Sequence, residues 1–131
     1  MKRKFLILLV IMLIASSCFS IVAYAATEYT ANLAFQGDHT GPTREYTGQD
    51  MNWSGYTYTR GQLPHMPDIF RIYLYRKNFI GSTCIGHVDR PREGYHDVSW
   101  TNVGSGKYYF VYVKARDGAD VVSDEITMRM R

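Results

Sequence analysis

Cysteine is scarce in this sequence, with two residues in 131, Cys18 and Cys84. Cys18 lies in an N-terminal segment that we predict to be removed, so Cys84 is left alone and an internal disulfide is excluded. Stability must then come from packing, and an aromatic content of 15% supplies large side chains for a core. We expect Cys84 to be buried as a small apolar residue, and the alternative is a homodimer through Cys84.

Charge of one sign is also lacking once the N-terminus is set aside. The chain has 15 Lys and Arg and 12 Asp and Glu, but three of the basic residues occupy positions 2–4. Beyond them the numbers are equal, so the basic isoelectric point does not argue for nucleic acid or an anionic membrane as a partner. The same neutrality disfavours a cationic antimicrobial protein.

The first 25 residues have the three parts of a secretory signal peptide. A basic start at positions 2–4 precedes an apolar run over 5–15, and Ala23-Tyr24-Ala25 forms a cleavage site of small residues. We predict a signal peptide at 1–25, a single domain at 26–131 and secretion. The apolar run is shorter than the ~20 residues of a membrane span. A lipid anchor at Cys18, which follows Ala15-Ser16-Ser17, is the alternative.

No window has a helical period, and alternation of apolar and polar residues predicts seven strands instead. The remaining segments, among them 36–50 and 61–68, contain Gly and Pro and are predicted to be loops. Strands at this spacing favour an antiparallel β-sandwich, with a small barrel as the alternative. The predicted strands cover residues 29–35, 51–60, 69–77, 82–88, 96–100, 108–115 and 121–131.

The segment 103–115 has a recognisable pattern, Val-x-x-Gly-x-x-Tyr-x-Val-x-Val-x-Ala. It resembles the corner and sixth strand of fibronectin type III and related immunoglobulin-like domains, although Ser105 replaces the usual proline. The resemblance implies a seven-stranded immunoglobulin-like sandwich in which the Tyr109 hydroxyl anchors the corner. The signal peptide and this corner also resemble small secreted proteins of Gram-positive bacteria.

Catalytic and metal-binding motifs are missing. The histidines do not form a His-x-x-x-His pair, and no Gly-x-Ser-x-Gly is present. Cys84 and His87 face opposite ways on a strand, which makes a nucleophile–base pair unfavourable. The acidic residues of 89–97 alternate with arginines, which indicates ion pairs on a solvated loop. We therefore predict a protein that is not an enzyme and has no cofactor or metal.

One surface remains as a candidate binding site. Alternation predicts Phe70, Ile72 and Leu74 in the core, and it predicts a second core stripe of Tyr109, Val111, Val113 and Ala115. In an immunoglobulin-like sandwich the third and sixth strands pair, which brings their outward residues together. We name this set the predicted aromatic face: Arg71, Tyr73, Tyr75, Tyr108, Phe110 and Tyr112.

Tyrosine and arginine are enriched at binding hot spots. The sequence therefore favours a secreted, non-enzymatic binding module for a protein or a cell-surface polysaccharide. Two alternatives remain open. One is a small secreted effector, such as an antimicrobial protein or an enzyme inhibitor, and the other is an extracellular matrix subunit that assembles through a sheet edge.

Overall fold

The structure is a computed structural model, and it describes residues 27–61 and 68–131. The predicted signal peptide, Cys18 and most of the predicted loop 61–68 lie outside these ranges. The described residues form nine strands: β1 (Glu28–Phe35), β2 (Asp38–Thr40), β3 (Arg44–Tyr46), β4 (Met51–Arg60), β5 (Ile69–Lys77), β6 (Ser82–Pro91), β7 (Gly94–Trp100), β8 (Gly106–Val113) and β9 (Asp120–Met130).

The strands form two antiparallel sheets that pack face to face. Sheet 1 has the order β1-β9-β4-β7, and sheet 2 has the order β2-β8-β5-β6, with β3 also paired to β8. If β2 and β3 are counted as two pieces of one strand, this is the order of an eight-stranded jelly roll. The all-β, antiparallel sandwich predicted from the sequence is confirmed.

The predicted seven-stranded immunoglobulin-like order is not confirmed. In that fold the last two strands lie side by side in one sheet. Here β9 leaves β8 and lies in the other sheet, between β1 and β4. The extra strands β2 and β3 fall in 36–50, predicted as a loop, because three-residue strands are too short to show alternation.

The core lies between the sheets and is rich in aromatic side chains. Trp53 of β4 is fully buried at its centre, where its ring contacts Phe70 and Tyr112 of the opposite sheet. The Trp53 Nε1 donates a hydrogen bond of 2.9 Å to the Tyr112 hydroxyl. A bond between sheet 1 and sheet 2 thus crosses the middle of the apolar core. Phe70, Ile72 and Leu74 are buried as predicted.

The predicted phase of β8 is wrong. Tyr108, Phe110 and Tyr112 are buried, whereas Tyr109 and Val111 lie on the outer face. Lys114 misled the prediction because it shares the face of Tyr108 and its charge suggested solvent. In the structure the Lys114 side chain is also buried, 2.9 Å from the Asp117 carboxylate.

The tyrosine that anchors the corner is therefore Tyr108 and not Tyr109. Its hydroxyl lies 2.7 Å from the Val103 carbonyl oxygen and 2.6 Å from that of Gly104. Burial raises the pKa of Tyr108. The corner itself exists as predicted, but its tyrosine lies one position earlier because the strand has the opposite phase.

Replacing Tyr108 with phenylalanine is expected to lower the free energy of unfolding by about 1–1.5 kcal/mol, because two buried carbonyls lose their donor. Urea denaturation measures the change. Tyr109→Phe is the matched control, and we expect a change within about 0.5 kcal/mol, as for most surface substitutions. Equal losses in the two variants would contradict the assignment of Tyr108.

A buried charged cluster closes one end of the sandwich. It consists of Arg92, which follows β6, together with Lys114 and Asp117 beyond β8, and their side chains are 1%, 0% and 4% exposed. Arg92 Nη2 and Lys114 Nζ lie 2.5 and 2.9 Å from the two oxygens of Asp117. Arg92 had been predicted on a solvated loop, and residues 117–120 as a hairpin turn. The segment instead crosses between sheets, since β8 and β9 do not pair.

Candidate functional site

The outer face of sheet 2 carries a cluster of tyrosines. Strand pairing sets Tyr75 directly opposite Tyr109, and Tyr73 opposite both Val111 and His87. Their alternation with the buried Ile72 and Leu74 sends these side chains outward. We name this surface the tyrosine face and define it by Arg71, Tyr73, Tyr75, Tyr109 and Val111.

The rings of the tyrosine face pack on one another. Those of Tyr75 and Tyr109 are stacked, with centroids 5.3 Å apart and planes 7° from parallel. The Tyr73 ring is tilted against Tyr75 at 6.0 Å and against His87 at 5.3 Å. Each ring is half-buried. Mutual packing restricts their rotation, so the face presents fixed apolar area with hydroxyl groups at its tips.

An ion pair borders the tyrosine face. Arg71 Nε and Nη2 donate to the two carboxylate oxygens of Asp89 at 2.6 and 3.0 Å. The guanidinium also lies 5.9 Å from the centroid of the Tyr73 ring. The hydrogen bonds from Arg71 hold the pKa of Asp89 below its usual range. This bidentate geometry fixes Arg71 beside the aromatic rings.

Two shallow depressions lie along the tyrosine face. One, of about 440 Å³, is lined by Thr40, Thr43, Tyr75, Lys77, Tyr109 and Val111. The other, of about 260 Å³, adjoins Arg71 and Tyr73 and includes Ile69, Val113 and Ala115. Both are open and amphipathic. Such surfaces suit the protruding side chains of a partner.

The structure separates the predicted aromatic face into two groups. Arg71, Tyr73 and Tyr75 lie together on the outer face of sheet 2 as predicted. The other three, Tyr108, Phe110 and Tyr112, point into the core. Tyr109 was missed because it was assigned to the core. Ring size offered a usable signal, since the bulkier set Tyr108, Phe110 and Tyr112 fills a core better than the set with two valines.

Cys84 is exposed on the edge strand β6, so the prediction that it is buried is wrong. Its backbone pairs with Tyr75 across a bulge in the β5–β6 ladder. Burial, followed by the proximity of Cys84, raises the pKa of Tyr75. Phe79 and Ile80, in the turn that connects β5 to β6, are also strongly exposed.

Groups with catalytic potential do not converge on the tyrosine face. His96 is buried, and its Nε2 lies 3.0 Å from the Thr57 hydroxyl, which donates to the Arg92 carbonyl. Burial lowers the pKa of His96. Within residues 27–61 and 68–131, no three His, Cys, Asp or Glu side chains form a cluster suited to a metal ion.

The fold and this face define a jelly-roll β-sandwich with an amphipathic tyrosine surface. Within the described ranges, no helix is long and apolar enough to cross a membrane. Neither a scan against protein-family models nor a search of curated proteins finds a match.

Solved structures with a similar course of the chain include two assembly proteins. The VP2 subviral particle of infectious bursal disease virus has a TM-score of 0.49 and 7% identity over 82% of this chain. Our chain spans 33% of that protein. A Bacillus endospore appendage protein, from a family of disulfide-linked pili, has a TM-score of 0.37 and 12% identity over 85% of this chain and 94% of its own. With scores this low, the fold assignment rests on the strand order described above.

Proposed function

We propose that this protein is a secreted, non-enzymatic binding module that docks another protein through the tyrosine face. The stacked pair of Tyr75 and Tyr109, fixed beside Arg71, carries the proposal. Tyrosine and arginine combine contact area with polar tips, and hot spots are enriched in both. Rings already held in place lose little side-chain entropy on binding.

The ring geometry favours a protein over a glycan as the ligand. A sugar ring would stack on the open face of an aromatic ring, but Tyr75 and Tyr109 each use one face against the other. Val111 and the exposed Ile69 and Val113 extend the apolar area beside them. Apolar area with a polar border is the composition of the centre and rim of a protein interface.

The proposal is tested by replacing Tyr75 and Tyr109 separately with serine. Extracellular proteins retained by the immobilised wild-type protein are identified, and the purified partner is titrated against each variant by calorimetry. We expect each substitution to weaken the dissociation constant by about tenfold or more, as for hot-spot residues. The matched control is Tyr56→Ser, which removes an exposed tyrosine from sheet 1 and is expected to bind this partner normally.

Three results would contradict the proposal: no protein is retained, both serine variants bind normally while folded, or the retained ligand is a polysaccharide. Sedimentation of the wild type at several concentrations, with and without reductant, separates a foreign partner from a second copy. Association that Cys84→Ser abolishes would favour the self-assembling subunit, because Cys84 is exposed on a free sheet edge.

A further inference from the structure

The outer face of sheet 1 carries a second surface that the tyrosine face does not include. Register places Tyr56 of β4 directly opposite Tyr95 of β7, and these side chains are 59% and 66% exposed. Unlike the rings of sheet 2, their large exposure leaves ring surface open to solvent. We call them the tyrosine pair.

A groove of about 360 Å³ lies on the same face, toward the other end of β4, and its walls are polar. Asn52 and Tyr56 are four residues apart on one strand, so groove and tyrosine pair are separated by about 13 Å. Together they form one elongated site. We name the depression the polar groove, and its lining residues are Asp50, Asn52, Asp97, Ser99, Thr101, Arg129 and Arg131.

The hydrogen bonds within the polar groove are unevenly distributed. The Asn52 Nδ2 faces three acceptors, Asp97 Oδ1 at 2.5 Å and the Val98 carbonyl and Ser99 hydroxyl at 3.1 Å. Among the described residues, Asn52 Oδ1 and Arg129 Nε, although both buried, have no hydrogen-bond partner. Asn52 and Arg129 are register partners on neighbouring strands. An acceptor and a donor thus lie unsatisfied side by side.

The charges of the groove are not paired with each other either. In the part of the chain that the structure describes, no carboxylate forms an ion pair with Arg129 or Arg131. Asp97, Ser99 and Thr101 are exposed. The groove therefore offers acceptors and donors of both charges at short range, with a formal balance of two Asp and two Arg.

We propose that the tyrosine pair and the polar groove form a binding site for a neutral oligosaccharide. A hydroxyl both donates and accepts, so a ligand rich in hydroxyls can use the carboxylates, the guanidinium groups and the Ser99 and Thr101 hydroxyls together. The apolar face of a sugar ring packs on an exposed tyrosine. A single anion would meet the two aspartates and a single cation the two arginines, whereas a neutral ligand meets neither penalty. The length of the site matches a short chain better than one ring.

This site is independent of the proposed protein-docking function because it lies on the opposite sheet. The probes are cellohexaose, xylohexaose, maltohexaose and chitohexaose, titrated into the purified protein by calorimetry. We expect at least one to bind with a dissociation constant of about 1 mM or tighter. Tyr56→Ala, at the tyrosine pair, and Asp97→Ala, at the groove, should each weaken it about tenfold.

Phe79→Ala is the matched control, since it removes a fully exposed ring from the β5–β6 turn and should leave binding unchanged. Circular dichroism confirms that each variant is folded, and Tyr95→Ala replaces Tyr56→Ala if the latter is not. Failure of all four probes to bind at millimolar concentration would overturn the proposal. Binding that survives both Tyr56→Ala and Asp97→Ala would overturn it as well. Neither result bears on a protein partner lost in Tyr75→Ser.

Discussion

Replacing Asp117 with asparagine is expected to lower the free energy of unfolding by about 3–5 kcal/mol. The two cations beside it, Arg92 and Lys114, have side chains with almost no solvent exposure. Removal of the carboxylate charge leaves both without compensation in a medium that solvates charge poorly. Asp117 also accepts a hydrogen bond from the backbone N–H of Ala119 at 3.2 Å, which fixes the crossing to β9.

The loss has a pH signature with a definite sign. The hydrogen bond from Arg92, followed by that from Lys114, holds the pKa of Asp117 well below its ordinary value of 3.8. A carboxyl with a depressed pKa stabilises the fold fully above its unfolded value and loses that contribution as the pH falls toward the folded value. The difference between wild type and Asp117→Asn should therefore be constant above about pH 5 and should narrow below about pH 4.

Urea denaturation at pH 7 and at several acidic values measures both effects. Asp89→Asn is the matched control, because it makes the same substitution in the half-exposed pair with Arg71 and should cost about 1 kcal/mol or less. A loss for Asp117→Asn no larger than for Asp89→Asn would show that the buried cluster is not stabilising. A gap that stays constant down to pH 2 would refute the linkage to Asp117.

The same cluster explains where reasoning from the sequence failed. Alternation along 69–77 is unambiguous because Phe70, Ile72 and Leu74 are uniformly apolar, so that strand and its faces were predicted correctly. Along β8 both faces are aromatic or aliphatic, and the charge of Lys114 decided the phase in the wrong direction. Its partner Asp117 is only three residues away, but nothing in the local pattern shows that the pair is buried with Arg92.

Sheet order was out of reach for a related reason. Strand alternation is local, whereas the position of β9 between β1 and β4 depends on pairings more than 60 residues apart in the chain, such as Trp53 with Met128. The resemblance to a tyrosine corner was correct for the corner and misleading for the topology that follows it. Half of the candidate site, Arg71, Tyr73 and Tyr75, followed from the sequence. Tyr109 required the phase of β8.

Replacing Trp53 with alanine is expected to lower the free energy of unfolding by about 3–5 kcal/mol, as for large-to-small changes at buried aromatic positions. The indole lies between the sheets and contacts Phe70 and Tyr112, so its loss opens a cavity that β strands held in two ladders cannot close. The hydroxyl of Tyr112 also loses its donor. Burial already raises the pKa of Tyr112, which shows how poorly that position solvates polar groups.

Trp53→Phe separates the two contributions, since it keeps most of the ring volume and removes the hydrogen bond. We expect a loss of about 1–3 kcal/mol in the wild-type background and a smaller one beside Tyr112→Phe, where no hydroxyl is left unsatisfied. Trp100→Ala is the matched control, because Trp100 is only partly buried at the edge of sheet 1. A Trp53→Ala loss no greater than that of Trp100→Ala would mean that the sheets do not depend on this contact. The tyrosine face and the polar groove lie on opposite sheets, so both surfaces should fail together when Trp53→Ala unfolds the domain, whereas substitutions on either surface should affect one ligand alone.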